Sequence, residues 1–136
     1  MRGDVGRIEP SAEHNRASGL VVESAIAVHR RLGPGLLESI YERCLGIELA
    51  ERELKVERQV VLPITYKGQR IEAALRIDLL VADCLIVEIK AVDQLLPIHD
   101  AQLLTYLRLS GRQLGLLINF NVPQLKQGLR RLVNSA

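Results

Sequence analysis

The chain has 136 residues, of which 48% are hydrophobic, 25% charged and only 3% aromatic, with a formal net charge of +2. That length supports one domain burying roughly two thirds of the surface its unfolded chain exposes, and no apolar run approaches membrane-spanning length. An aliphatic core without tryptophan argues against a base-stacking platform of the single-strand-binding kind, while weak net basicity permits a nucleic-acid partner without demanding one.

Residues 1–11 carry Gly, Pro and charge without periodicity and read as a flexible tail, leaving 12–136 as a single domain. No apolar signal region occurs before Ser18, and Cys44 and Cys84 lack metal-ligand spacing. Free thiols and no secretion signal place the chain in the cytoplasm as an expectation.

From residue 12 to 32, Leu20, Val21, Ala25, Val28 and Leu32 recur at helical spacing, and Gly33-Pro34-Gly35 must stop that helix. A second helix is expected over 36–53, with Leu37, Ile40, Tyr41, Cys44, Leu45 and Leu49 on one broad apolar face. Residues 56–66 alternate as a strand, where Pro63 indicates an edge position or a bulge. Lys67-Gly68 is a tight turn and 71–81 return as a second strand. Asp83-Cys84 turns into a third over 85–91, whose continuous apolar start suits a sheet buried on both faces. Pro97 opens a helix to Leu109, ended by Ser110-Gly111. An apolar strand over 114–120 and a closing amphipathic helix over 123–133 complete the order ααβββαβα. This is an α/β pattern with a central mixed sheet flanked by helices.

The chemistry concentrates in residues 76–90, where Asp78 and then Glu88-Ile89-Lys90 interrupt two apolar strands. Alternation puts Glu88 and Lys90 on one face with Val87 and Ile89 on the other, and the hairpin return brings Asp78 beside them. Burying two carboxylates and an ammonium among Leu, Ile and Val is costly unless they are paired or hold a metal. The excess negative charge either raises a carboxylate pKa or recruits a cation, and hard oxygen ligands suit Mg²⁺ or Mn²⁺. A surface Glu–Lys pair beside an unrelated Asp is the alternative that the hairpin alone leaves open. Two helical pairs accompany it: Gln102 and Tyr106, four apart on one face, and Glu38 and Tyr41, three apart, with Glu42 one turn beyond Glu38.

Gly35-Leu36-Leu37-Glu38-Ser39-Ile40-Tyr41 resembles the signature of the GxxExxY proteins, a group placed in the PD-(D/E)XK nuclease-like superfamily. The likeness runs from about Leu20 to Val133 and includes His29 to Glu38, the Glu-x-Lys hairpin and Gly115-Leu-Leu-Ile-Asn-Phe120 in the family's order. It implies a restriction-endonuclease-like core of order αβββαβ and an active site of an acid followed by (Asp/Glu)-x-Lys, which fall on Asp78, Glu88 and Lys90. The RecB-like and lambda-exonuclease-like branch adds a helical Glu and a Gln-x-x-x-Tyr, matching Glu38 and Gln102 with Tyr106. One departure is Ile77, which stands where the superfamily's variable Pro precedes the acid.

The resemblance implies Mg²⁺- or Mn²⁺-dependent hydrolysis of phosphodiester bonds in nucleic acid, DNA in the first place. Asp78, Glu88 and the Ile89 carbonyl would hold the cation, with Glu38 joining through water or a second cation. Lys90 would orient or deprotonate the attacking water, Gln102 would position the site, and Tyr41 and Tyr106 would support it. The alternative is a catalytically silent nuclease-fold module that binds nucleic acid or a protein partner. A compact, weakly basic domain grips DNA weakly alone, so a homodimer or partner subunit is a further expectation, with the apolar stretch 60–64 as the interface. Arg30, Arg31, Lys126 and Arg130 are candidate phosphate contacts, or simply solvated helix faces. His99 reads as a helix-start hydrogen-bonding group and His29 as a packed or capping residue. Ser39 lacks a His–Asp partner in the pattern, which argues against a serine hydrolase.

Overall fold

Two helices cover one face of a five-stranded sheet and a third covers the other. In this computed structural model, which describes residues 10–134, the helices are α1 (Ala12–Leu32), α2 (Glu38–Glu51) and α3 (Pro97–Ser110). The strands are β1 (Val56–Tyr66), β2 (Gln69–Val81), β3 (Leu85–Lys90), β4 (Leu114–Asn119) and β5 (Leu129–Val133). The tail expected over 1–11 lies outside the described residues as far as residue 9, as do residues 135–136 of the expected domain. Among the described residues no helix is long and apolar enough to cross a membrane.

The strands lie in the order β1-β2-β3-β4-β5, with β3 and β4 parallel and every other pair antiparallel. Because parallel neighbours need a crossover, α3 must pass over the sheet between them. Alternation then sorts the core. Leu85, Val87 and Ile89 of β3 pack with Val21, Val28, Tyr41 and Leu45 beneath α1 and α2. Ile86 packs on the other side with Leu103 and Leu107 of α3. Both faces of β3 and β4 are covered, as their unbroken apolar runs require.

Ser11 caps α1 through its hydroxyl, which accepts the His14 amide at 3.2 Å. Pro97 opens α3, and Gly111 ends it in the left-handed conformation. Ala82 and Asp83 both have positive φ, at 54° and 60°, in the tight turn joining β2 to β3. Pro63 lies on the edge strand, at a register shift between Leu62 and Ile64. Cys44 and Cys84 are free.

Two expectations are corrected. The closing helix over 123–133 is instead a 3-10 turn (Leu125–Gly128) followed by β5, which pairs with β4 from Ile118↔Leu129 to Leu114↔Val133. The spacing of Leu125, Leu129 and Leu132 fits a helix, but it also lets Leu129 and Leu132 reach opposite faces of a sheet. Pairing to β4 satisfies an otherwise open strand edge, and local propensity yields to it. Gly128 permits the approach: a Cβ there would lie 2.1 Å from the Asn119 carbonyl oxygen. The second correction concerns the buried face of α2, which is Tyr41, Glu42, Leu45 and Leu49, whereas Leu37 and Ile40 are exposed.

Candidate functional site

Pairing between β2 and β3 ends at Leu79↔Val87. One step further, side chains replace the ladder. The Asp78 amide donates to Glu88 Oε2 at 2.9 Å, and the Ile89 amide donates to Asp78 Oδ2 at 2.8 Å. Each carboxyl group thus takes a main-chain N–H from the opposite strand, and these bonds fix where one oxygen of each side chain lies. Glu88 is only 5% exposed. Burial, and then the neighbouring Asp78 carboxylate, push its pKa up to about 8 against the opposing pull of the Asp78 amide and Lys90. Lys90 is half-buried and has no ion-pair partner among the described residues.

Glu38 reaches this place from α2. Its Oε2 accepts the Ala91 amide at 3.3 Å, one residue beyond Lys90. The turn before α2 sets that position, with Gly33 and Gly35 at φ of 71° and 99° that side-chain-bearing residues rarely adopt. Tyr41 clamps the turn: its hydroxyl donates to the Gly33 carbonyl at 2.6 Å and accepts the Leu36 amide at 3.0 Å. The ring is fully buried and stacks on Phe120 with centroids 4.6 Å apart. The Gly-x-x-Glu-x-x-Tyr spacing therefore has a local physical reason.

Three residues beside the site were not selected from the sequence. Glu42, buried on α2, accepts the Gln59 side-chain amide at 2.7 Å and pairs with Arg58 at 3.0 Å. The same Gln59 nitrogen meets Asp78 Oδ1 at 3.4 Å, and Arg76 donates to the Gln59 oxygen at 2.6 Å. Asn119, opposite Lys90 in β4 and 1% exposed, closes on the chain leaving β3. It accepts the Val92 amide at 3.1 Å and donates to the Val92 carbonyl at 2.9 Å. The sequence signals were a Glu one helical turn past Glu38 and an Asn ending an apolar strand.

The other candidates make no hydrogen bond or ion pair with the Asp78 and Glu88 carboxylates among the described residues. Gln102 is exposed on α3 and has no hydrogen-bond partner among the described residues, while Tyr106 packs against the cluster under α3. His99 accepts the Leu96 amide at 2.9 Å at the start of α3, and His29 bonds the Val122 carbonyl at 2.8 Å. Both are structural contacts. Arg130 is engaged by Asp100 in an ion pair. Arg30 and Arg31 are exposed at the end of α1, and Arg30 shares a shallow pocket with Lys126.

Among the described residues no three His, Cys, Asp or Glu side chains form a ready metal cluster. The donor chemistry nevertheless fits a hard divalent cation. Asp78 Oδ2 and Glu88 Oε2 are held by amides, so their second oxygens have defined positions, and all donors are oxygen. Burial, and then the Asp78 carboxylate, disfavour ionised Glu88, a penalty that a bound cation would offset.

Residues 15–132 match the family model described as the PD-(D/E)XK nuclease superfamily. No curated protein and no solved structure matches the chain significantly.

Proposed function

The chain belongs to the PD-(D/E)XK nuclease superfamily, and from that premise we propose that it hydrolyses phosphodiester bonds of nucleic acid, DNA in the first place, with Mg²⁺ or Mn²⁺ as cofactor. The observation that carries this reading is the reciprocal capture of main-chain amides by Asp78 and Glu88, with Lys90 beside them. Both side chains satisfy an open main-chain amide, yet two acids this close repel each other, a cost that a cation between them would offset. Within the superfamily we assign the chain to the GxxExxY proteins on the RecB-like and lambda-exonuclease-like branch. The Tyr41 clamp on the Gly turn and the approach of Glu38 to Ala91 support that assignment.

Asp78, Glu88 and the Ile89 carbonyl would hold a divalent cation, which would supply charge neutralisation at the scissile phosphate and a more acidic water. Lys90, left without an ion pair, orients the attacking water or stabilises developing negative charge. Glu38, beside Ala91, would join the cation through water or a second cation. Gln102, exposed on α3, contacts the phosphate, and Tyr106 anchors that helix in the core. Arg30, Arg31 and Lys126 contribute phosphate contacts, and β1, an edge strand with Val61 52% exposed, offers a surface for a second copy or a partner subunit.

The absence of a ready three-ligand cluster among the described residues favours one second reading, a silent module that binds nucleic acid or a protein partner. One assay separates the two. Labelled single- and double-stranded DNA and RNA, linear and circular, are incubated with Mg²⁺, Mn²⁺ or EDTA. The enzyme reading expects metal-dependent cleavage that is lost in Lys90→Ala and Asp78→Asn. No cleavage by the wild type under any condition would transfer the assignment to the silent module.

A further inference from the structure

Gln59 sits across β1 from Asp78, between the register pairs Arg58↔Leu79 and Val60↔Ile77. Its backbone has φ +52°, a conformation that is strained for a side chain of this size. The sheet turns over at this step. Leu79 faces α1 and α2, whereas Ile77, of the same parity, packs under α3 with Val60. Strain of this kind persists only where the surroundings enforce it, and here the side chain is held at three points.

The amide nitrogen donates to Glu42 Oε1 at 2.7 Å and makes a longer contact of 3.4 Å to Asp78 Oδ1, while the amide oxygen accepts from Arg76 Nε at 2.6 Å. The orientation of the amide is set by chemistry: carboxylates can only accept and a guanidinium can only donate. Glu42 is fixed in turn by Arg58 at 3.0 Å. A chain of contacts therefore runs from two arginines through one amide to the Asp78 oxygen not already taken by the Ile89 amide. We infer that Gln59 is a positioning residue that aims this second Asp78 oxygen at the cation. The inference rests on the metal-site reading above. Partners at this remove from a ligand typically change metal affinity by about 10- to 100-fold.

The positive φ makes the role separable from stability. Gln59→Gly relieves the backbone but removes the whole side chain, and Glu42 keeps only its Arg58 partner, so the variant is expected to fold with a Tm near or modestly below that of the wild type. Its affinity for Mn²⁺, read by the paramagnetic resonance of free Mn²⁺ and by calorimetry, is expected to fall by about tenfold or more. In cleavage assays the Mn²⁺ concentration giving half-maximal rate should rise, with KM for nucleic acid unchanged. Gln59→Asn tolerates positive φ but is one methylene too short, and should behave alike; it also serves if the glycine variant does not fold. Wild-type affinity in either folded variant overturns the inference, and so does loss of fold in both, since the residue is then structural. Asp78→Asn tells the two levels apart: if it binds Mn²⁺ as the wild type does, or the wild type binds none, the metal-site reading itself falls.

Discussion

Asp78 and Glu88 hold each other across the point where β2 and β3 part: Glu88 accepts the Asp78 amide, and Asp78 accepts the amide that follows Glu88. This arrangement makes stability depend on pH. Glu88 has its folded pKa raised to about 8 from an ordinary 4.5, with burial the main cause. Between those values the folded chain keeps a proton that the unfolded chain has released, so stability falls as pH rises through this window and levels off above it. The full effect is on the order of a few kcal/mol. Urea unfolding in EDTA from pH 5 to 9 should show the decline, and Glu88→Gln should flatten it. A parallel decline in the variant would remove Glu88 as its origin.

Cation binding should act on the same pair. At a hundred times its dissociation constant, a ligand of the folded state adds roughly 2.7 kcal/mol. Thermal unfolding at pH 8 should therefore shift upward with MgCl₂ or MnCl₂, more than with matched NaCl. Asp78→Asn should abolish the excess shift. An equal shift in both proteins would mean that the cation acts elsewhere.

Tyr41→Phe keeps the stack on Phe120 but strips partners from the Gly33 carbonyl and the Leu36 amide. Leaving such groups without their hydrogen bonds costs about 1–3 kcal/mol. Because the same turn places Glu38, any cleavage activity should drop further than stability predicts. Denaturation and cleavage measured on one preparation test both halves.

Two glycines give opposite expectations. A Cβ at Gly128 would run into the Asn119 backbone, so Gly128→Ala should destabilise by at least about 2 kcal/mol. Gly19 is exposed within α1 with nothing within 4 Å of a built Cβ, so Gly19→Ala should stabilise by up to about 1 kcal/mol. Calorimetric scans of the two variants suffice.

The first seven elements were legible because each combined a clear period with its own punctuation: Gly33-Pro34-Gly35, Lys67-Gly68, and Pro97 with Gly111. Residues 123–133 misled because their leucine spacing satisfies two geometries, and only the open edge of β4 decides between them. The meeting of Asp78 with Glu88 was readable from one short turn. That of Asp78 with Gln59 was not. The outer hairpin pairs Ile64 with Ile71, and continuing that register would set Glu57 against Asp78. The irregularity between Leu62 and Ile64 advances the register by two residues and brings Gln59 there instead. A shift of two residues leaves the alternation of side chains intact, so although Pro63 marks an edge or a bulge, nothing in the pattern gives the size of the shift. On α2, a mixed surface hid the burial of Glu42, since a carboxylate enters the interior only when partners such as Arg58 and Gln59 arrive from a distant strand.

The same irregularity divides the β1–β2 hairpin into an inner half that frames the site and an outer half that does not. Residues 65–73 are exposed throughout, and β3 accompanies β2 only along Leu79 to Val81. The outer loop is therefore a handle attached to the molecule at one end. A peptide tag, a fluorophore or a tether to a surface can be introduced at Lys67-Gly68 without disturbing the carboxylates at its base.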